Sequence, residues 1–145
     1  MSGEEQPVDL YTPRVRTALT PTIKLGGSAI GITYTTQLGE KVVDQNGICH
    51  FWMKIVLLSK GAQTGALTVL GLLDDVETGT VAEIHVAGSL KVAYTEALIA
   101  TAAAGGKIIA LGDRLFAGTS IVAIDNADLS DDSMIEITGR YFVAV

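Results

Sequence analysis

The tetrapeptide Asp44-Gln45-Asn46-Gly47 stands between two runs rich in apolar residues. Asn-Gly accepts the positive φ that a tight hairpin turn needs, so the segment predicts two antiparallel strands. The second run, Ile48 to Leu57, sorts in twos. Cys49, Phe51, Met53, Ile55 and Leu57 fall on one face, and Ile48, His50, Trp52, Lys54 and Val56 on the other. The first set suits a core. The second is mixed, and it exposes a tryptophan unless something covers it.

The same pattern of strand and turn extends along the chain. Thr22 to Leu25 is short and apolar and ends at Gly26-Gly27. Ala29 to Leu38 is rich in β-branched and aromatic residues and is punctuated by Gly39, after which Glu40 to Val43 leads into the hairpin. Further strands are expected at Leu67 to Leu73, Val81 to Val86, Leu90 to Tyr94, Lys107 to Leu111 and Thr119 to Ile124. Ser133 to Val143 closes the fold with Ile135, Ile137, Tyr141 and Val143 on one face. Thr95 to Ala104 reads two ways. Its alanines and Glu96 favour a helix capped by Gly105, while its neighbours favour strand with a turn at Gly105-Gly106; strand is preferred. Turn signals recur every roughly 8–12 residues, the spacing of a sandwich or barrel. The expected fold is all-β, a two-sheet, jelly-roll-like β-sandwich over residues 21–145. Residues 1–20 are polar, carry Pro7 and Pro13, and are read as an extended N-terminal arm. Within the arm, Leu10, Tyr11, Arg14 and Arg16 mix apolar, aromatic and basic groups and are the expected docking residues.

The 145 residues suit one domain, large enough for a core without covalent staples. The net charge of −6 argues against nucleic acid and anionic membranes as partners. One cysteine, Cys49, allows neither an intrachain disulfide nor a cysteine metal cluster. The opening Met-Ser-Gly-Glu-Glu-Gln lacks the basic and apolar regions of a signal peptide, and no apolar run reaches the ~18–20 residues of a membrane span. The chain is expected to be made in a cytoplasm and to stay soluble.

The sequence carries few residues arranged for chemistry. His50 and His85 each fall in an expected strand without an accompanying carboxylate or serine constellation, so both read as surface or interface residues. Cys49 and His50 are adjacent in a strand and point to opposite faces, which makes Cys49 a small core residue. Asp125 to Asp132 looks like an acidic calcium loop, but Ala127 and Leu129 fall where ligands should stand and the turn glycine is missing. It reads as a solvated loop of Asx turns, as does Asp74-Asp75-Val76-Glu77. Ser59-Lys60-Gly61 places the lysine before the glycines and is a turn, not a phosphate loop. No catalytic residue, cofactor or metal is expected. Trp52 reads equally as a binding hot spot or as a closure of the core.

Some residues carry more than composition. Thr20-Pro21-Thr22-Ile23-Lys24-Leu25-Gly26-Gly27 runs into Gly31-Ile32-Thr33-Tyr34-Thr35-Thr36-Gln37-Leu38-Gly39. Ile55-Val56-Leu57-Leu58-Ser59-Lys60-Gly61 is followed by Thr64-Gly65, and the chain finishes with Ile137-Thr138-Gly139-Arg140-Tyr141-Phe142-Val143. This order resembles a β-module of tailed-bacteriophage structural proteins, namely head decoration (cement) proteins and the terminal domains of tail fibres. The chain departs from that pattern at Glu40-Lys41, where the module usually has an aromatic. The resemblance implies a virion location and a homotrimer. A capsid decoration protein is the first expectation, with the arm docked on the major capsid protein and the shell stabilised from its outer surface. A receptor-binding tip of a tail fibre or appendage, with Trp52 on a host glycan, is the alternative.

Overall fold

The computed structural model describes residues 15–80, 82–115 and 120–144. Among the described residues there are ten strands: β1 Arg16–Ala18, β2 Thr22–Leu25, β3 Thr33–Val43, β4 Ile48–Ser59, β5 Leu67–Leu70, β6 Glu83–Val92, β7 Leu98–Ala102, β8 Ile109–Arg114, β9 Ile121–Ala123 and β10 Leu129–Phe142. One antiparallel sheet has the order β1-β3-β4-β10-β6, and the other β2-β5-β8-β7 with β9 paired to β8. Their inner faces share one core, so the all-β, two-sheet sandwich expected from the sequence is formed. β1 places Arg16–Ala18, from the segment read as an arm, at the edge of the five-stranded sheet. Leu10, Tyr11 and Arg14 lie outside the described residues.

The hairpin forms where Asn-Gly predicted it. Gly47 has φ 79°, and the Asp44 amide donates to Ile48 O at 2.9 Å. The Asp44 carboxylate accepts from the amides of Asn46 at 2.8 Å and Ile48 at 3.0 Å, and it meets His50 Nε2 at 3.0 Å. The His50 hydrogen bond, followed by the Ile48 amide, holds the Asp44 carboxyl below its ordinary value. On β4 all five expected core residues are buried. β10 pairs with β4 from Met134↔Val56 to Phe142↔Ile48 and buries Ile135, Ile137 and Tyr141 beside them. Gly139 lies opposite Phe51, and a Cβ there would sit 3.0 Å from the Phe51 ring. The missing side chain lets that ring meet Tyr141 edge-on, with centroids 5.9 Å apart.

Two expected breaks are absent. β3 runs straight through Gly39, because that glycine serves packing and not a turn. A Cβ on it would approach Trp52 O to 2.8 Å and Leu19 Cβ to 3.1 Å. Leu19 crosses there, and its amide donates to Gly39 O at 2.9 Å. Glu83 to Val92, expected as parts of two strands, likewise form one strand, β6. Its register against β10 shifts between Glu136 and Ile137, so Gly88-Ser89 follows a bulge and makes no turn. Thr95 to Ala104 contains strand β7, as preferred. The loop before it folds onto Asp113, a buried carboxylate that accepts from the amides of Thr95, Glu96 and Ala97. The Thr95 amide is the largest cause that lowers its pKa.

The loop glycines and the acidic loop are also explained by contacts. A Cβ on Gly26 would lie 2.2 Å from Thr64 O, and one on Gly65 would lie 2.6 Å from Gly26 Cα. Both have positive φ, and the two loops touch backbone to backbone. Tyr34 Oη accepts from Ile23 N at 2.8 Å and ties β2 of one sheet to β3 of the other. Asp125 and Asp128 cap a single 3-10 turn, Asn126–Asp128. Lys60 reaches this loop from the end of β4. Its Nζ donates to the carbonyls of Asn126 at 3.0 Å and Leu129 at 3.1 Å, while its amide donates to Asp131 Oδ1 at 3.1 Å. Asp132 pairs with Lys91. The Asx-turn reading of this loop therefore stands, with a lysine ammonium added at its centre.

Two outcomes are expected. Lys60→Met keeps the stem and removes the ammonium, so it should lower the unfolding free energy by about 1.5–3 kcal/mol, the scale of a charge-assisted hydrogen bond. Urea unfolding with an unchanged m-value would measure it. At Asp44 the folded-state pKa is depressed below the ordinary 3.8. Its contribution is therefore present above that value and lost as pH falls through the folded-state pKa. Asp44→Asn should lower Tm at neutral pH, and the gap to wild type should narrow on acidification below about pH 4. A gap constant with pH would refute this role for the carboxylate.

Candidate functional site

Strand alternation sends a second set of side chains to the outer face of the five-stranded sheet. Register fixes how they line up. Ala18, Glu40, Trp52, Thr138 and His85 form one row across the strands. Arg16, Val42, His50, Arg140 and Glu83 form the next. On the other side of Trp52, Leu38, Lys54 and Glu136 share a row, and Thr36, Val56, Met134 and Leu90 share another. Trp52 is thus central on an open sheet face, and it is 40% exposed.

A depression of about 210 Å³ lies beside it, bordered by Arg16, Glu40, Val42, His50 and Trp52. Pockets for drug-sized ligands run to about 300–1,000 Å³, so this one is small. A second depression of about 280 Å³ shares His50 and is bordered by Glu83, His85, Thr138 and Arg140. His50 is held by Asp44 from the hairpin turn. Arg140 Nη2 reaches both Glu83 oxygens, at 3.0 and 3.2 Å, and that hydrogen bond lowers the Glu83 pKa.

Of the residues singled out in the sequence, Arg16 and Trp52 are brought together at one depression. Cys49 is buried on the inner face, away from His50, and burial pushes its thiol pKa up. Among the described residues, no group of three or more His, Cys, Asp or Glu is placed to hold a metal ion. No helix among them is long and apolar enough to cross a membrane. The arrangement offers contact surface: a flat face, an aromatic at its centre, and hydrogen-bonding side chains around it.

Other features went unseen in the sequence. Lys41 points inward and pairs with Asp74, whose carbonyl accepts from Tyr141 Oη at 3.2 Å. Strict alternation from Glu40 would have sent Lys41 to the core side. The open face also carries apolar groups beyond Trp52. Leu38 is 54% exposed, Leu58 64% and Leu90 61%, and Phe142 is exposed at the opposite end. Leu90 could not be placed from sequence, because the bulge in β6 decides which face it takes.

Neither protein-family models nor curated proteins give a match. Among solved structures, the crystal structure of the Dettilon tailspike protein (gp208) is similar, with a TM-score of 0.69 and 14% sequence identity. The alignment covers 89% of this chain and 24% of that one, so this sandwich matches about a quarter of the tailspike chain. At that identity the likeness is one of fold.

Proposed function

We propose that this chain is a structural protein of a tailed-bacteriophage particle, carried on a tail appendage, and that it acts by binding and assembly without catalysis. The observation that carries this reading is the shared fold with a part of a tailspike chain, across 89% of the present chain. The motifs from Thr20 to Gly39, Ile55 to Gly65 and Ile137 to Val143 support it independently. The open face around Trp52 supplies the contact surface. The homotrimer implied by the sequence resemblance belongs to the same proposal.

Capsid decoration is the second reading, and it draws on an arm that docks on the major capsid protein. Of the four docking residues, only Arg16 is among the described ones. It lies in an edge strand of the sandwich and borders the Trp52 depression. A residue engaged on its own sheet is a weaker support for an arm laid across a neighbouring shell. The tail location is favoured for that reason and for the tailspike likeness.

Imaging of intact particles labelled with an antibody to this chain is the test. Label at the tail is expected. Label over the head would replace the tail reading with capsid decoration, and particles without label at either place would refute both.

A further inference from the structure

We infer that the outer face of the five-stranded sheet is the surface on which further copies of this chain pack. The inference takes that face as the assembly surface proposed above, but it does not depend on where in a particle the chain sits. Three observations carry it.

The first is charge. The face holds three cations, Arg16, Lys54 and Arg140, and three carboxylates, Glu40, Glu83 and Glu136. It is neutral when its histidines are neutral, whereas the whole chain carries −6. The excess negative charge therefore lies off this face. Two copies meeting here bring no net like charge together, and cations of one can lie against carboxylates of the other. Lys54 and Glu136 stand opposite one another in register, as do Arg140 and Glu83, so both signs are present side by side on the face.

The second is apolar content. Leu38, Trp52, Leu58, Leu90 and Phe142 are all exposed on this side. They are spread over the face from Leu58 at one end to Phe142 at the other, with Trp52 between them and charged side chains interspersed, so apolar and polar contacts alternate across it. The third is size. Four long strands at ~4.8 Å spacing and ~3.3 Å per residue span about 20 by 35 Å, on the order of 700 Å² in projection. A stable interface needs about 800 Å² per partner. The face is thus near the size for a protein partner and far larger than a small ligand fills. A self-complementary face that meets its own copy closes about a twofold axis; a threefold ring would set one part of the face against a different part of the next copy.

Trp52 is the only tryptophan, which makes the test direct. Sedimentation of the full chain across a concentration series, with tryptophan fluorescence on the same samples, should show self-association and a blue shift that track each other. Leu58→Asp and Leu90→Asp alter side chains that are largely exposed, so unfolding midpoints of the dissociated chain should stay near wild type. Each should weaken association at least about tenfold. Lys54→Glu makes the face net negative, and it should weaken association at low salt with recovery as salt screens the repulsion. A chain that stays monomeric at every concentration would overturn the inference. So would an oligomer that ignores all three variants, or a monomer whose Trp52 responds to oligosaccharides in place of a second copy. Particle imaging decides the virion reading separately, since a monomeric chain found on tails would refute only this inference.

Discussion

β4 is hydrogen-bonded on both sides, to β3 and to β10, along almost its whole length. That double pairing fixes the faces of three strands at once. A slip of one residue would turn Phe51, Met53 and Ile55 outward and bury His50, Trp52 and Lys54. The Asn-Gly turn sets the register on one side. On the other, Gly139 opposite Phe51 helps to set it, because a side chain there would collide with the ring. The open face around Trp52 follows from the same register, so the core and the candidate site are two sides of one constraint.

What was legible in the sequence was local. Alternation in Ile48 to Leu57 assigned both faces of β4, and Asn46-Gly47 located the turn. Glycine was the ambiguous letter. Gly39 reads as punctuation, yet it admits Leu19 against a continuous strand, and Gly88, in the gap between two expected strands, follows a bulge within one. A glycine required by a distant neighbour looks the same in sequence as one required by a turn. The order of strands was out of reach for a related reason. β10 pairs with β4 and β6, and nothing near Met134 to Phe142 announces those partners.

The long-range polar contacts were the least visible. Lys60 and its carbonyl partners are separated by more than sixty residues, and Lys41 is paired with Asp74 on a loop between the sheets. In sequence each looked like an ordinary surface charge in a polar stretch. In the fold Lys60 fastens a loop through its backbone carbonyls, and Lys41 fastens another through a carboxylate. Acidic segments that suggested ion sites are instead occupied by the chain's own donors. The candidate site was legible in part: Trp52 and Arg16 were marked, but their meeting depends on β1 pairing with β3.

The ends of the five-stranded sheet have a consequence for crowding. A strand adds to a sheet edge through an unbroken row of free amides and carbonyls. β1 is only three residues long. β6 shifts register twice against β10, and Lys91 near its end takes the left-handed conformation at φ 55°. Neither margin offers the straight, regular template that cross-β growth requires. Copies crowded against either of these two margins are therefore hindered from adding strand to strand, and this sheet makes a poor seed for fibrils.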